Sequence, residues 1–367
     1  MKKKNVCILV LLAALFAACS DSDIVIDPTD LPPSETQKIL VLCEGIWTHD
    51  NSTLAFYDLK SQATDLDYFT TVNKRGLGDT ANDMIKYGSK IYIVVNESGT
   101  IEVIDAATGK SLQQIEMKIE TAEGKKISKQ PRYAAAYGGK VYVTSYDDTV
   151  TRIDTVSLTI DGSVAVGRDP EGICISTKNR KIYVANSGGL DFQDANYDHT
   201  VSVIDLNSFE EIEQIEVGLN PYQVFADNQG DVYVNVRGNY DDIAPSFKKI
   251  KPSKDSYEVS TLTGVSISEF TIVNDKAYIL HNDWGKESEV KVYDCKTEEV
   301  VAENFVTDGT AISNGYKITA DAYSGDVYVT TSEYTISGNV LCFDNKGECK
   351  FTLQSVGIGP NKIILLD

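Results

Sequence analysis

The side chains best suited to specific chemistry in this sequence are few: three histidines and two tryptophans, with scattered arginines and tyrosines. His49, His199 and His281 lie far apart and form no metal-binding spacing. No GxSxG elbow, HExxH pair or phosphate-cradling glycine loop occurs. Carboxylates are abundant, but abundance does not single out an acid–base pair. The segment Asp194-Ala-Asn196-Tyr-Asp198 has the first oxygen-ligand spacings of a calcium loop. It has His199 where the glycine should follow, so a plain acidic loop stays open beside calcium. No cofactor is implied, and the expectation is a non-catalytic binding protein. Its candidate ligand-binding residues are Trp47, His49, Arg132, Tyr146, Asp147, Arg168, Phe192, Tyr222, Arg237, Tyr240, Trp284 and Tyr334.

These residues acquire meaning from a repeat that positions them. Lys90-Ile-Tyr-Ile-Val returns as Lys140-Val-Tyr-Val-Thr, Lys181-Ile-Tyr-Val-Ala, Asp231-Val-Tyr-Val-Asn, Lys276-Ala-Tyr-Ile-Leu and Asp326-Val-Tyr-Val-Thr. Lys38-Ile-Leu-Val-Leu is a looser first copy. A second phrase follows, as in Ile101-Glu-Val-Ile-Asp, Val201-Ser-Val-Ile-Asp and Val290-Lys-Val-Tyr-Asp. The fifth unit departs there, with Phe247-Lys-Lys-Ile-Lys. Seven units over residues 38–367 give about 47 residues each, the spacing of propeller blades. Branched and aromatic residues alternate with polar ones, so each unit reads as four strands, A to D. The predicted fold is all-β, a seven-bladed β-propeller over residues 37–367. Gly359-Pro-Asn-Lys-Ile-Ile-Leu-Leu looks like an innermost strand with nothing after it, and Lys38-Ile-Leu-Val-Leu like a strand B without its strand A. The C-terminal strand is therefore expected to complete the N-terminal blade, which hides both open edges.

In such a blade the A–B and C–D turns lie on one face and the B–C and D–A loops on the other. The A–B turns, such as Tyr87-Gly-Ser-Lys and Tyr137-Gly-Gly-Lys, only reverse the chain. The B–C loops carry Trp47, His49, Tyr146, Asp147, Phe192, Tyr197, His199, Tyr240, Trp284 and Tyr334. Loops on a rigid scaffold usually carry function, so this face is the expected binding surface. Strand A starts at the mouth of the central channel, with Asp83, Arg132, Glu171, Tyr222, Glu269, Tyr316 and Asn361 near the seven starts and Arg75 and Arg168 just before two of them. A mixed charged and aromatic ring of this kind suits a small ligand.

The N-terminus reads as a targeting segment. Lys2, Lys3 and Lys4 precede an apolar run ending at Ala18, too short to span a bilayer. Ala17-Ala18-Cys19 resembles a bacterial lipobox, and Ser20-Asp-Ser-Asp23 resembles the surface-export signal of Bacteroidetes lipoproteins. Residues 1–18 are the expected signal peptide, and residues 19–36 the expected lipid anchor and flexible tether. The chain carries a net charge of −20, and loss of the three signal lysines makes the mature protein more acidic still. Such a body repels nucleic acid and anionic membrane surfaces. Of seven cysteines, Cys342 and Cys349 flank the turn Asp344-Asn345-Lys346-Gly347, where a disulfide across a hairpin is open in an oxidising compartment.

The repeat phrases, with Lys181-Ile-Tyr-Val-Ala-Asn and Thr200-Val-Ser-Val-Ile-Asp as the clearest pair, resemble the YncE-like, surface-layer-type seven-bladed propellers over nearly the whole mature chain. Together with the Cys19-Ser-Asp-Ser-Asp start, the chain looks more narrowly like the cobalamin-capturing surface lipoproteins of gut Bacteroidetes. That resemblance implies a cell-surface protein, lipid-anchored to the outer membrane, that binds vitamin B12 or related corrinoids and delivers them to a TonB-dependent outer-membrane transporter. A surface module for a glycan or a protein partner is the alternative. The anchor is tested by Cys19→Ala. This change is expected to abolish lipid labelling and release the protein from membranes, and labelling that persists would rule the anchor out.

Overall fold

The computed structural model describes residues 26–367 apart from 195, 255 and 284, together with all their side chains except that of Asp194. The signal peptide, Cys19 and Trp284 therefore lie outside the described residues. Seven four-stranded antiparallel sheets form the body, as the repeat predicts. Six of them are sequential: Ala81–Glu116, Pro131–Ala165, Pro170–Glu216, Pro221–Thr261, Glu269–Ala302 and Gly315–Ile358. The seventh sheet, blade 1, joins the two ends of the chain. Its order runs from Thr64–Asp65 through Thr53–Asp58 and Lys38–Cys43 to Pro360–Leu366. Lys38 sits opposite Leu366 and Val41 opposite Ile363, so the C-terminal strand fills the inner place.

The repeated phrases owe their residue types to two local requirements. The lysine that opens the second strand stands opposite the aspartate that ends the third, as Lys90 with Asp105, Lys140 with Asp154 and Lys181 with Asp205. Two of these pairs close to 2.8 and 2.6 Å. The same aspartates cap the following turn by accepting backbone N–H groups: Asp205 from Asn207 and Ser208 at 3.0 and 3.1 Å, Asp294 from Lys296 and Thr297, each at 2.9 Å. Those N–H donors hold the Asp294 carboxyl below the usual carboxylate range despite slight burial. In blade 5 Lys251 takes the place of the aspartate, and Ser253 N–H closes the turn on Ser256 O at 2.8 Å. The tyrosines of the second strand, Tyr92, Tyr183, Tyr233 and Tyr328, are fully buried and fill the wedges between blades.

Three features differ from the sequence expectation. Cys342 and Cys349 do not face one another. A bulge between Cys342 and Phe343 puts Cys342 opposite Phe351 and Cys349 opposite Phe343. The two thiols are free, in separate hydrophobic clusters. Second, residues 26–36, the described part of the expected tether, lie against the turn-bearing face. Asp27 accepts from Tyr87 Oη at 2.6 Å and from Gly138 N–H and Thr29 N–H, and Thr36 Oγ1 donates to Asp321 at 2.8 Å. Third, an added hairpin, Lys118–Glu120 paired with Lys126–Ser128, stands between blades 2 and 3.

Closure makes a sharp stability prediction. Deleting residues 359–367 strips the buried Ile363, Ile364 and Leu366 from the core and opens two sheet edges. Three lost aliphatic side chains correspond to roughly 5–9 kcal/mol of burial. We expect the truncated chain to lose cooperative thermal unfolding or to melt more than about 10 °C lower. Melting within a few degrees of the full chain would overturn the closed ring.

Candidate functional site

The loop-bearing face is a continuous belt rather than seven separate loops. In blades 2, 3, 4 and 7 the connection entering the blade accepts a hydrogen bond from the B–C loop of the same blade: Asn96 N–H to Thr80 O, Tyr146 N–H to Gln130 O, Ser187 N–H to Asp169 O and Ser332 N–H to Asn314 O. The accepting residues Thr80, Gln130, Asp169 and Asn314 all have positive φ, the left-handed turn that sends the chain down into the channel. The inner strands then start together and their first side chains converge on the axis.

Those side chains build a polar floor. Arg132 makes a two-pronged pair with Glu171, at 2.8 and 3.2 Å, and lies 4.8 Å above the Tyr146 ring. Tyr146 donates its hydroxyl to the same carboxylate. Tyr133 and Tyr222 meet hydroxyl to hydroxyl, joining blades 3 and 5 across blade 4. Gly172 of blade 4 lets the inner strand of blade 5 approach closely, since a Cβ there would come within 2.6 Å of the Tyr222 backbone carbonyl oxygen. Lys317 reaches in from blade 7 to Tyr222 Oη at 3.2 Å and to Glu269 at 2.7 Å. Arg237 stacks on the Tyr222 ring and stands 3.6 Å from Glu269. Tyr316 donates to Glu44 at 2.6 Å. Burial is the largest single influence on Arg132 and Lys317 and works against their charges, yet Glu171 and Glu269 together with the neighbouring tyrosines raise both pKa values. Burial pushes the Tyr133, Tyr146 and Tyr316 phenols well above their ordinary value, so they stay protonated donors.

Two clefts flank this floor. The larger, about 520 Å³, is lined by Trp47, Leu190, Tyr146, Arg132 and Tyr334 among others. The smaller, about 330 Å³, holds Arg237, Tyr240, Glu269 and Tyr316. Large aromatic side chains stand exposed at both: Trp47 is 66% and Tyr334 82% exposed at the larger, and Tyr240 68% at the smaller, while Phe192, 59% exposed, stands on the loop of blade 4. Tyr240 and Tyr334 have φ near +60°, a conformation that bulky residues adopt at a cost of roughly 1–3 kcal/mol and that concentrates at functional loops.

Of the residues expected from the sequence, Arg132, Tyr146, Tyr222 and Arg237 meet in the floor, and Trp47, Tyr240 and Tyr334 in the cleft walls. Phe192 stands exposed on the loop of blade 4, while His49 is exposed with its Nδ1 2.9 Å from Trp47 O. Asp147 is held by Lys129 at 2.9 Å and Thr149 at 2.7 Å, and shapes a loop. Arg168 is not in the channel ring. It pairs with Asp191 and donates to Asn196 O at 2.7 Å, pinning the turn Gly189–Asp194. Arg75 is also away from the ring, bound to buried Glu102 at 2.8 Å and to Ser111 in blade 2. Asp198 of the calcium-like segment spends its carboxylate on His199 and Thr200 N–H and Arg168 N–H, while the Asp194 side chain and Ala195 are outside the described residues. Glu44, Lys317, Leu190 and Tyr133 were not among the sequence candidates. The signal for Tyr133 and Lys317 is their place as the third residue of an inner strand.

A family described as a domain of unknown function, DUF5074, matches residues 37–345. The chain belongs to that family. No curated protein matches its sequence. Among solved structures, this DUF5074 protein is similar to a quinoprotein alcohol dehydrogenase-like protein of Bacteroides thetaiotaomicron, at 16% identity and a TM-score of 0.62, over 90% of this chain and 78% of that one. It is similar to hydrazine synthase of Kuenenia stuttgartiensis, at 16% identity and a TM-score of 0.57, over 75% and 85%. A functionally unknown protein of Desulfotomaculum acetoxidans gives 14% and 0.54, over 75% and 83%. At such identities the likeness shows the propeller fold alone.

The floor predicts its own sensitivity. Removing one partner of a buried ion pair leaves the other charge uncompensated, so Arg132→Ala is expected to destabilise the protein by about 3 kcal/mol in chemical denaturation. A loss below about 1 kcal/mol would mean that the pair is solvated and the floor open.

Proposed function

We propose that this DUF5074 protein is a non-catalytic, cell-surface capture protein for cobalamin or a related corrinoid, which it delivers to a TonB-dependent outer-membrane transporter. The observation that carries the reading is the joint placement of exposed Trp47, Tyr240 and Tyr334 on one face, around a polar floor flanked by two clefts. An exposed apolar surface rimmed by polar groups is costly to maintain and marks an interaction site. A corrinoid is wide, with apolar faces, peripheral amides and one phosphate. Aromatic rim residues cover such faces, and floor groups with both donors and acceptors suit the amides. A broad open bowl admits a ligand too large for an enclosed pocket. The lipid anchor on Cys19 and the outer-membrane location complete the proposal and rest on the N-terminal sequence.

Calorimetry of the mature protein with cyanocobalamin tests it. Trp47→Ala and Tyr334→Ala are each expected to weaken binding about tenfold or more, since an aromatic anchor at a hot spot is worth roughly 2 kcal/mol. Ser89→Ala, in an A–B turn on the opposite face, is expected to leave affinity unchanged. If no corrinoid binds, the capture reading fails. Oligosaccharide binding that depends on the same two aromatics would then establish the alternative, a glycan-binding surface module.

A further inference from the structure

The smaller cleft, between blades 5 and 6, holds hydrogen-bonding capacity that the protein leaves unspent. Asn235 is 1% exposed; its amide donates to Ser268 O at 2.7 Å, and its Oδ1 has no donor among the described residues. Glu269 is 5% exposed; its Oε1 takes Lys317, and its Oε2 has no donor among the described residues. Arg237, in the same wall, forms no hydrogen bond through its guanidinium among the described residues, and its nearest carboxylate oxygen is 3.6 Å away. Buried acceptors are almost always satisfied, so two orphans beside an unspent donor fork need an explanation. The terminal torsion of a glutamate is soft, which lets Oε2 swing toward the cleft it lines. Tyr240 stands at the rim, and Ile267 and Pro245 give an apolar wall.

We infer that this cleft is a subsite for a primary carboxamide of the ligand. The carbonyl oxygen accepts from Arg237, the two N–H groups donate to Asn235 Oδ1 and Glu269 Oε2, and the adjoining methylenes lie against Tyr240 and Ile267. A carboxylate or phosphate suits this cleft less well, because it would face Glu269 and Asn235 Oδ1 without a proton to offer. A single hydroxyl has one donor for two acceptors. The inference rests on the loop-bearing face being the ligand face, but it does not require that the ligand be a corrinoid.

Ligand-observed saturation-transfer spectroscopy on the mature chain tests the subsite with propionamide, sodium propionate and glucose at equal millimolar concentrations. Propionamide is expected to give at least a fivefold larger signal than either of the others. Arg237→Met and Asn235→Leu are expected to abolish that preference. Because these positions are partly or fully buried, Tyr240→Ala at the exposed rim provides a variant that keeps the fold, with an expected signal loss of threefold or more. Ser89→Ala is expected to retain the full preference. Signals from propionate or glucose that equal or exceed that of propionamide overturn the subsite, as does a preference that survives all three cleft variants. Cyanocobalamin is titrated separately. If it fails to bind while the propionamide preference holds, the corrinoid reading falls and the carboxamide subsite stands. If it binds while the preference is absent, the reverse holds.

Discussion

The pairing of Lys38–Cys43 with Pro360–Leu366 is the contact on which the rest of this molecule depends. A ring of blades has no layer above or below it to hold it shut, so closure must come from one sheet built from both chain ends. Here the join is an inner strand rather than an outer one. The C-terminal segment therefore does two things at once: it seals the sheet edges, and it sets Asn361 against the backbone carbonyls of Ala81 and Asn82 at 3.0 Å each. The joined blade is tied to its neighbour at the channel itself. Errors in closure would reach the floor directly, because Asn361 and Tyr316 share Glu44.

That constraint also explains the character of the floor. Inner strands from seven blades crowd around one axis, and polar side chains brought there lose solvent together. Burial of this kind is tolerated only when each charge finds an opposite. Arg132 finds Glu171, and Lys317 finds Glu269, whereas Arg237 has only a distant carboxylate and an aromatic face. Cationic side chains thus gather at the axis of a strongly acidic protein. The shell stays soluble through its carboxylates, while the floor supplies rigid, fixed donors.

Much of this was legible in the sequence, for a reason internal to repeats. Seven copies of one phrase report what every copy must do, so the four-stranded unit, the seven blades and the joined blade were all readable from residue type. The face carrying Trp47, Tyr240 and Tyr334 followed from blade geometry alone. What failed to read were departures peculiar to one blade. Cys342 and Cys349 have a hairpin spacing, but a one-residue bulge turns the thiols apart, and no residue type announces it. Arg75 and Arg168 sit next to inner strands in sequence, yet Glu102 and Asp191 draw their guanidiniums elsewhere. The contacts of Lys317 arise across the axis between blades 5, 6 and 7, a distance that local pattern cannot register.

The segment 26–36 gives the two faces different jobs. Its contacts with Tyr87, Gly138 and Asp321 reach blades 2, 3 and 7, spanning the side of the ring where blade 1 is joined. All of them lie on the turn-bearing face. Residues 26–36 therefore pack on one face of the ring, and the clefts lined by Trp47 and Arg237 open on the other. Residues 26–36 therefore leave the mouths of both clefts clear. A ligand captured there is then exposed to whatever partner faces the bowl. Under the capture role proposed above, a ligand seated there faces away from the N-terminal end of the ring, which suits a protein that hands its ligand on better than one that retains it.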